Sequence, residues 1–286
     1  MCGVCGCSDG NQTTISGSHE EHVHVLADGT VIRHAHPEPG KDHTHSTHRH
    51  DHTHGPPIAS DTHPRTGGST VEQIEAQVFE KNRRLAERNR TWLSGREMFA
   101  VNLMSSPGSG KTTLLERTIR EIRRPTAVLE GDQETPFDAE RIRAAGAPVV
   151  QINTGQGCHL EANMVWHGLE QLAPSFGSVL FIENVGNLVC PALFDLGEAA
   201  RVVLFSVTEG EDKPLKYAHM FRAADLVLLT KVDLLPHLDF DSSRAVDALR
   251  DVNPTADILS LSCRSGEGLD AWYAWLETRL TGQDHS

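Results

Sequence analysis

Basic residues are scarce in this chain: Lys and Arg number 26 against 39 Asp and Glu, for a formal net charge of −13. That balance disfavours nucleic acid and anionic membrane as main partners. Long apolar runs are missing too. No stretch approaches the roughly 20 residues needed to span a bilayer. No basic segment followed by an apolar core opens the chain, so no secretory signal is read. Cysteine is sparse, with six in 286 residues. Three of them crowd the first seven positions, which suits ligand thiols in a reducing cytosol better than a disulfide framework. The expected location is therefore cytoplasmic. No internal repeat is visible, and the length suits one substantial domain plus extensions.

Against these absences stands one dense motif, Ser105-Ser-Pro-Gly-Ser-Gly-Lys-Thr-Thr113. It follows the apolar run Phe99–Met104 and leads into a helical pattern from Thr112 to Ile119. Strand, glycine-rich loop, Gly-Lys-Thr and helix make the layout of a P-loop. Gly108, Ser109 and Gly110 let backbone N–H groups curl around phosphate oxygens at the positive end of a helix. Lys111 can reach the β and γ phosphates, the Thr112 hydroxyl suits Mg²⁺, and Thr113 continues the cradle. Ser105 stands where the common pattern has its first Gly.

Short runs rich in Val, Leu and Ile alternate with helical patterns beyond this point. The spacing predicts strands at 99–104, 126–130, 149–153, 179–183, 202–207, 226–230 and 257–261. It predicts helices at 112–123, 136–145, 160–171, 214–222, 241–250 and 269–280, after an amphipathic helix over 70–94. Near-continuous apolar strands suit a mainly parallel sheet covered on both faces. The expected fold is an α/β P-loop NTPase, with a tail at 1–68, a helical lead-in at 69–97 and a nucleotide domain at 98–286.

The remaining motifs fall at predicted strand ends, where such sheets bind ligands. Asp233 in Thr230-Lys-Val-Asp can accept from both donors of a guanine edge, and the Lys231 stem can lie over the base. Thr230 replaces an Asn common in GTPases, which predicts guanine choice with weaker binding. Ser262-Cys263 fits a loop closing over the base. Asp132 and Glu183 are candidates to hold Mg²⁺ through water and to orient the attacking water. Gly186 could offer its N–H to the γ-phosphate.

Two further groups suggest a metal ion. Cys2, Cys5 and Cys7 can wrap one soft or borderline ion, although a redox pair shares the Cys-x-x-Cys spacing. Twelve of the 17 histidines lie between His19 and His63, with His43, His45, His48, His50, His52 and His54 the densest run. This stretch is too polar to offset its ordering entropy and is expected to be a disordered tail of weak imidazole sites. Cys158-His159 and Cys190 form a partial metal site if their loops meet; two buried cysteines and a surface histidine are the alternative.

Taken together these segments resemble the hydrogenase nickel-incorporation GTPases, the HypB family. The residues that carry the resemblance are the terminal cysteine triplet, the His-rich insert, the P-loop, Glu130-Gly-Asp-Gln133, Cys158-His-Leu-Glu-Ala162 and Glu183-Asn-Val-Gly-Asn-Leu-Val-Cys-Pro191. The resemblance implies slow GTP hydrolysis and GTP-linked homodimerisation. It implies nickel at Cys2, Cys5 and Cys7, and nickel or zinc at Cys158, His159 and Cys190. It also implies a HypA-like nickel chaperone and a [NiFe]-hydrogenase large-subunit precursor as partners. A urease-type nickel-delivery GTPase and a nickel storage protein are the alternative readings.

Overall fold

The computed structural model describes residues 22–25, 31–34, 71–132, 137–155 and 157–283. The chain divides into two compact units, one over Ser18–Glu75 and one containing Ala76–Ser286. In the first, β1 (His22–Val25) and β2 (Val31–His34) pair antiparallel, with His22 opposite His34. The rest of the expected disordered tail, including Cys2, Cys5, Cys7 and the run His43–His54, lies outside the described residues.

The larger unit starts within α1 (Val71–Ser94), the amphipathic helix expected over 70–94. Then follow β3 (Phe99–Ser105), α2 (Lys111–Glu121), β4 (Thr126–Asp132), α3 (Phe137–Ala145), β5 (Val149–Asn153), α4 (Ala162–Leu172) and β6 (Val179–Glu183). After these come β7 (Ala200–Ser206), α5 (Lys213–Lys216), α6 (Ala218–Arg222), β8 (Leu226–Thr230), α7 (Ser242–Val252), β9 (Asp257–Leu261) and α8 (Leu269–Gln283). Short 3₁₀ turns occupy Cys190–Leu193 and Val232–His237.

The seven strands β3–β9 form a parallel sheet in the order β5-β4-β6-β3-β7-β8-β9. The interior strands β3, β6 and β8, each paired on both sides, are buried along their whole length, which explains their apolar runs. Phe99, Val101 and Leu103 face a core shared with Leu114 and Leu115 of α2, Ile142 of α3 and Trp272 and Leu276 of α8. The opposite face is covered in two halves. Leu129, Leu180 and Ile182 meet Leu93 of α1 and Val165 and Leu169 of α4. Val203, Phe205 and Leu229 meet Met220 and Phe221 of α6 and Leu249 of α7. Each such buried side chain contributes about 1.5–3 kcal/mol.

Two buried asparagines dock α1. Asn89 Nδ2 donates to the carbonyls of Ala162 (2.8 Å) and Leu196 (2.9 Å). Asn82 donates to Asp195 O (2.7 Å) and accepts from Ala162 N (2.9 Å), capping α4 from outside its own sequence. The helix expected over 214–222 is broken at Tyr217, which leaves the helical region at φ −118° and ψ 44°. Among the described residues no helix is long and apolar enough to cross a membrane.

Candidate functional site

β3 ends at Ser105, and the chain turns through Ser106–Gly110 into α2. The turn needs positive φ at Gly108 (72°) and Gly110 (102°), where a side chain would be strained. No side chain caps α2, so its first N–H groups face the loop, as an anion site requires. Lys111 is buried and its Nζ donates to Ser105 Oγ at 3.0 Å. The residue that replaces the usual first Gly therefore parks the lysine. Burial pulls the Lys111 pKa down, and nearby Glu183 and Asp138 push it back up.

The loop is also held from below. Glu209 accepts from Ser106 Oγ (2.6 Å), Ser109 Oγ (2.9 Å) and Ser206 N (3.2 Å). Sequence reasoning missed Glu209, since its partners lie 100 and 103 positions earlier and nothing local marks it.

Beside Lys111 opens a cavity of about 260 Å³ lined by Gly108, Glu130, Asp132, Asp138, Glu183 and Gly186. Thr112 Oγ1 donates to Glu183 Oε1 at 2.8 Å, tying α2 to the end of β6. Glu130 lies in register with Glu183 on the neighbouring strand. Alternation along β4 puts Asp132 on the same face as Glu130. Burial pushes the Glu183 carboxyl up to about 7, with Lys111 and the Thr112 hydrogen bond acting against it. Burial pushes Glu130 up to about 8, and Glu183 and Asp132 add to the effect. Glu130 Oε2 and Glu183 Oε2 are buried without a hydrogen-bond partner. Orphaned carboxylate oxygens beside the Thr112 hydroxyl are the hard donor set that Mg²⁺ takes. Glu130 was also missed, although an acid inside the apolar run Ala127-Val-Leu-Glu130 is a signal in itself. Gly186 packs against the P-loop so closely that a Cβ there would sit 2.9 Å from Pro107 Cα.

On the other side of the loop a cavity of about 240 Å³ is lined by Ser109, Thr113, Thr230, Lys231, Asp233 and Cys263, among others. Lys231 takes a left-handed φ of 61°, and its Nζ donates to Gly108 O at 2.7 Å. Thr230 Oγ1 donates to Ser109 O at 2.8 Å. The threonine hydroxyl thus straps this loop to the P-loop. Ser262 Oγ donates to Asp233 Oδ1 at 2.5 Å and accepts from the N–H groups of Arg264 and Ser265. That chain fixes the Asp233 carboxylate at the cavity. Burial pushes the Cys263 thiol up to about 11, so it stays protonated.

The loops carrying the other cysteines do meet. Cys158 Sγ lies 2.8 Å from Cys190 Sγ and 3.6 Å from His159 Nδ1. One ligand atom from each residue falls within 4.8 Å of the others. His159 stacks on Phe194 with centroids 4.0 Å apart. Burial pushes its pKa down to about 4, so the imidazole is neutral and keeps a lone pair. Asn184 accepts from Leu160 N (3.2 Å) and Val185 N (3.0 Å), which joins the segment after His159 to the loop after Glu183.

Residues 99–260 match the family described as CobW/HypB/UreG, nucleotide-binding domain. The hydrogenase maturation factor HypB of Azotobacter vinelandii is 50% identical over 279 residues, covering 97% of this chain and 92% of that relative. The chain belongs to the HypB family. A crystal structure of HypB from Archaeoglobus fulgidus aligns with a TM-score of 0.66 and 41% identity, covering 70% of this chain and 99% of that one. HypB from Helicobacter pylori, solved in complex with nickel, aligns with a TM-score of 0.67 and 38% identity, covering 71% of this chain and 96% of that one. The family match spans the P-loop and the cavity beside Lys111, while the second cavity extends past it at Cys263 and Arg264.

Proposed function

We propose that this HypB-family chain binds GTP·Mg²⁺, hydrolyses it slowly, and couples that cycle to handing nickel toward a [NiFe]-hydrogenase large-subunit precursor. The observation that carries the reading is the adjacency of two sites. The Cys158–His159–Cys190 cluster gathers at the far end of the loop that begins at Glu183, and Glu183, Val185 and Gly186 of that loop line the cavity beside Lys111.

Lys111 and the α2 N-terminus take the phosphates, and Asp233, Lys231, Ser262 and Cys263 form the guanine pocket. Thr112, Asp132 and Glu183 hold Mg²⁺. Bound there, Mg²⁺ supplies charge neutralisation for the transferring phosphoryl group. Glu183, fixed by Thr112, is placed to orient the attacking water. Few other groups are available for the chemistry, which agrees with slow turnover. Nickel is cargo. Cys158, His159 and Cys190 offer two sulfurs and one neutral imidazole, a set that suits nickel or zinc. Cys2, Cys5 and Cys7 provide a tighter site, and the histidine tract a weaker reserve. A HypA-like chaperone and a second copy of the chain receive or shape the cargo in the GTP state.

The test measures bound metal and GTP turnover on one reduced sample. Lys111→Ala should abolish turnover and leave metal at the cysteine sites. A protein with bound nickel but no GTP turnover before mutation would favour storage and overturn the reading.

A further inference from the structure

We propose that Glu130 is a working member of the cation site, a third carboxylate beside Asp132 and Glu183 that makes tight nucleotide binding conditional on a divalent cation. The proposal rests on the GTPase reading and extends it by one residue.

Glu130 sits on β4 directly across from Glu183 on β6. Both line the cavity that Lys111 enters. They are 2% and 4% exposed, and each has one carboxylate oxygen with no partner. An acid in that state does nothing for the fold. In register with them, the neighbouring strands β3, β7 and β8 carry Leu103, Val202 and Leu226, which bury without leaving a polar atom unmet. A buried pair of orphaned oxygens aimed into one cavity is a ligand set without its ligand.

The charge distribution says what that ligand is. Glu130, Asp132, Asp138 and Glu183 all face the cavity, and Lys111 is the lone cation among its lining residues. Arg141, whose charge acts on Glu183, already donates to Glu116 and Asp138. A triphosphate entering this wall finds carboxyl groups and, apart from Lys111, no positive charge to meet it. A divalent cation turns the same carboxylates into attraction, since they then bind the ion that the phosphates also bind. Nucleotide and cation are therefore linked, and Glu130 adds to the linkage because its oxygens favour the nucleotide only through the ion that both bind.

The experiment uses the full chain and a fluorescent, non-hydrolysable GTP analogue. Its affinity is measured in excess Mg²⁺ and in a chelator, for the parent and for Glu130→Gln, with unfolding temperature as a check. In the variant the analogue should bind more weakly in excess Mg²⁺ and about as before in the chelator. The ratio of the two affinities should fall by roughly 5–150-fold, the usual range for coupled sites. If the amide variant does not fold, Glu130→Leu carries the same comparison, because an apolar side chain fits a buried strand. A folded variant with the parent's ratio overturns the proposal. Failure of the parent itself to bind the analogue in Mg²⁺ overturns the GTPase reading instead, so the two failures are distinguishable.

Discussion

Asp233 owes its orientation to one hydroxyl. Ser262 points the carboxylate at the base cavity and is itself held by two backbone N–H groups. If the base is guanine, as proposed, Asp233→Asn removes its charged acceptor and installs a donor. GTP affinity should fall by about 1.5–3 kcal/mol, the worth of hydrogen bonds to a charged group. Xanthine nucleotides, which offer a carbonyl where guanine has its amine, should gain. Competition among GTP, XTP and ATP checks this. Thr230 makes a second case. From its type alone a weaker base site is expected, because the amide of the usual Asn is gone. Its hydroxyl nevertheless reaches Ser109 O at 2.8 Å, so Thr230→Val, equal in shape, should loosen GTP by about 0.5–1.5 kcal/mol. Unchanged affinity in that variant would show that the strap is idle. Lys111, Thr112, Asp132, Glu183 and Asp233 were legible in the sequence because each sits in a short contiguous motif. Glu130 was equally visible as an acid in an apolar strand and stands in the Glu130-Gly-Asp-Gln133 motif, but only Asp132 of that motif was given a role.

The seven sheet strands appear where Val, Leu and Ile cluster, with ends shifted by two residues at most. Burial on both faces makes such runs unmistakable. Loops were harder to read. The break at Tyr217 has no Gly beside it. The 3₁₀ turn at Cys190–Leu193 depends on Asn187 Oδ1 accepting from Val189 N and Cys190 N. The least legible feature is the prop under the P-loop. Glu209 follows β7, and Ser106 and Ser109 precede α2, so only the parallel pairing of β3 with β7 brings them together. Glu209→Ala would leave both hydroxyls without this acceptor and free the turn. Nucleotide should then bind roughly tenfold more weakly, the effect of about 1.4 kcal/mol, inside the range of about 1–3 kcal/mol for leaving a buried polar group unsatisfied. Glu209→Gln keeps an acceptor oxygen and should recover part of the loss. Hydrogen exchange at 106–110 should rise in the alanine variant alone, and no rise would assign Glu209 to the fold in place of the loop.

Across the whole nucleotide domain, one loop serves two sites. It leaves β6 at Glu183, packs Gly186 on Pro107 of the P-loop, and ends at Cys190 beside Cys158. Asn184 ties its start to Leu160, next to His159. A change in phosphate occupancy that shifts Glu183 or Gly186 must therefore move Cys190 or strain those bonds. Loops that order around a γ-phosphate and relax on its loss are a known switching element. Metal at Cys158, His159 and Cys190 should then prefer one nucleotide state, and by linkage the metal must change nucleotide affinity by the same factor. A coupling of about 1–3 kcal/mol, or roughly 5–150-fold, is the expected size. Nickel and zinc titrations of a Cys2/Cys5/Cys7→Ala chain, with GDP and with a non-hydrolysable GTP analogue, measure one side of the cycle. Nucleotide titrations with and without metal measure the other. Replacing Gly186 with Ala crowds Pro107 Cα, and should reduce the coupling while leaving Cys158, His159 and Cys190 in place. Equal metal affinity in both nucleotide states would mean that the loop carries two independent sites, and the delivery cycle would then need a partner to connect them.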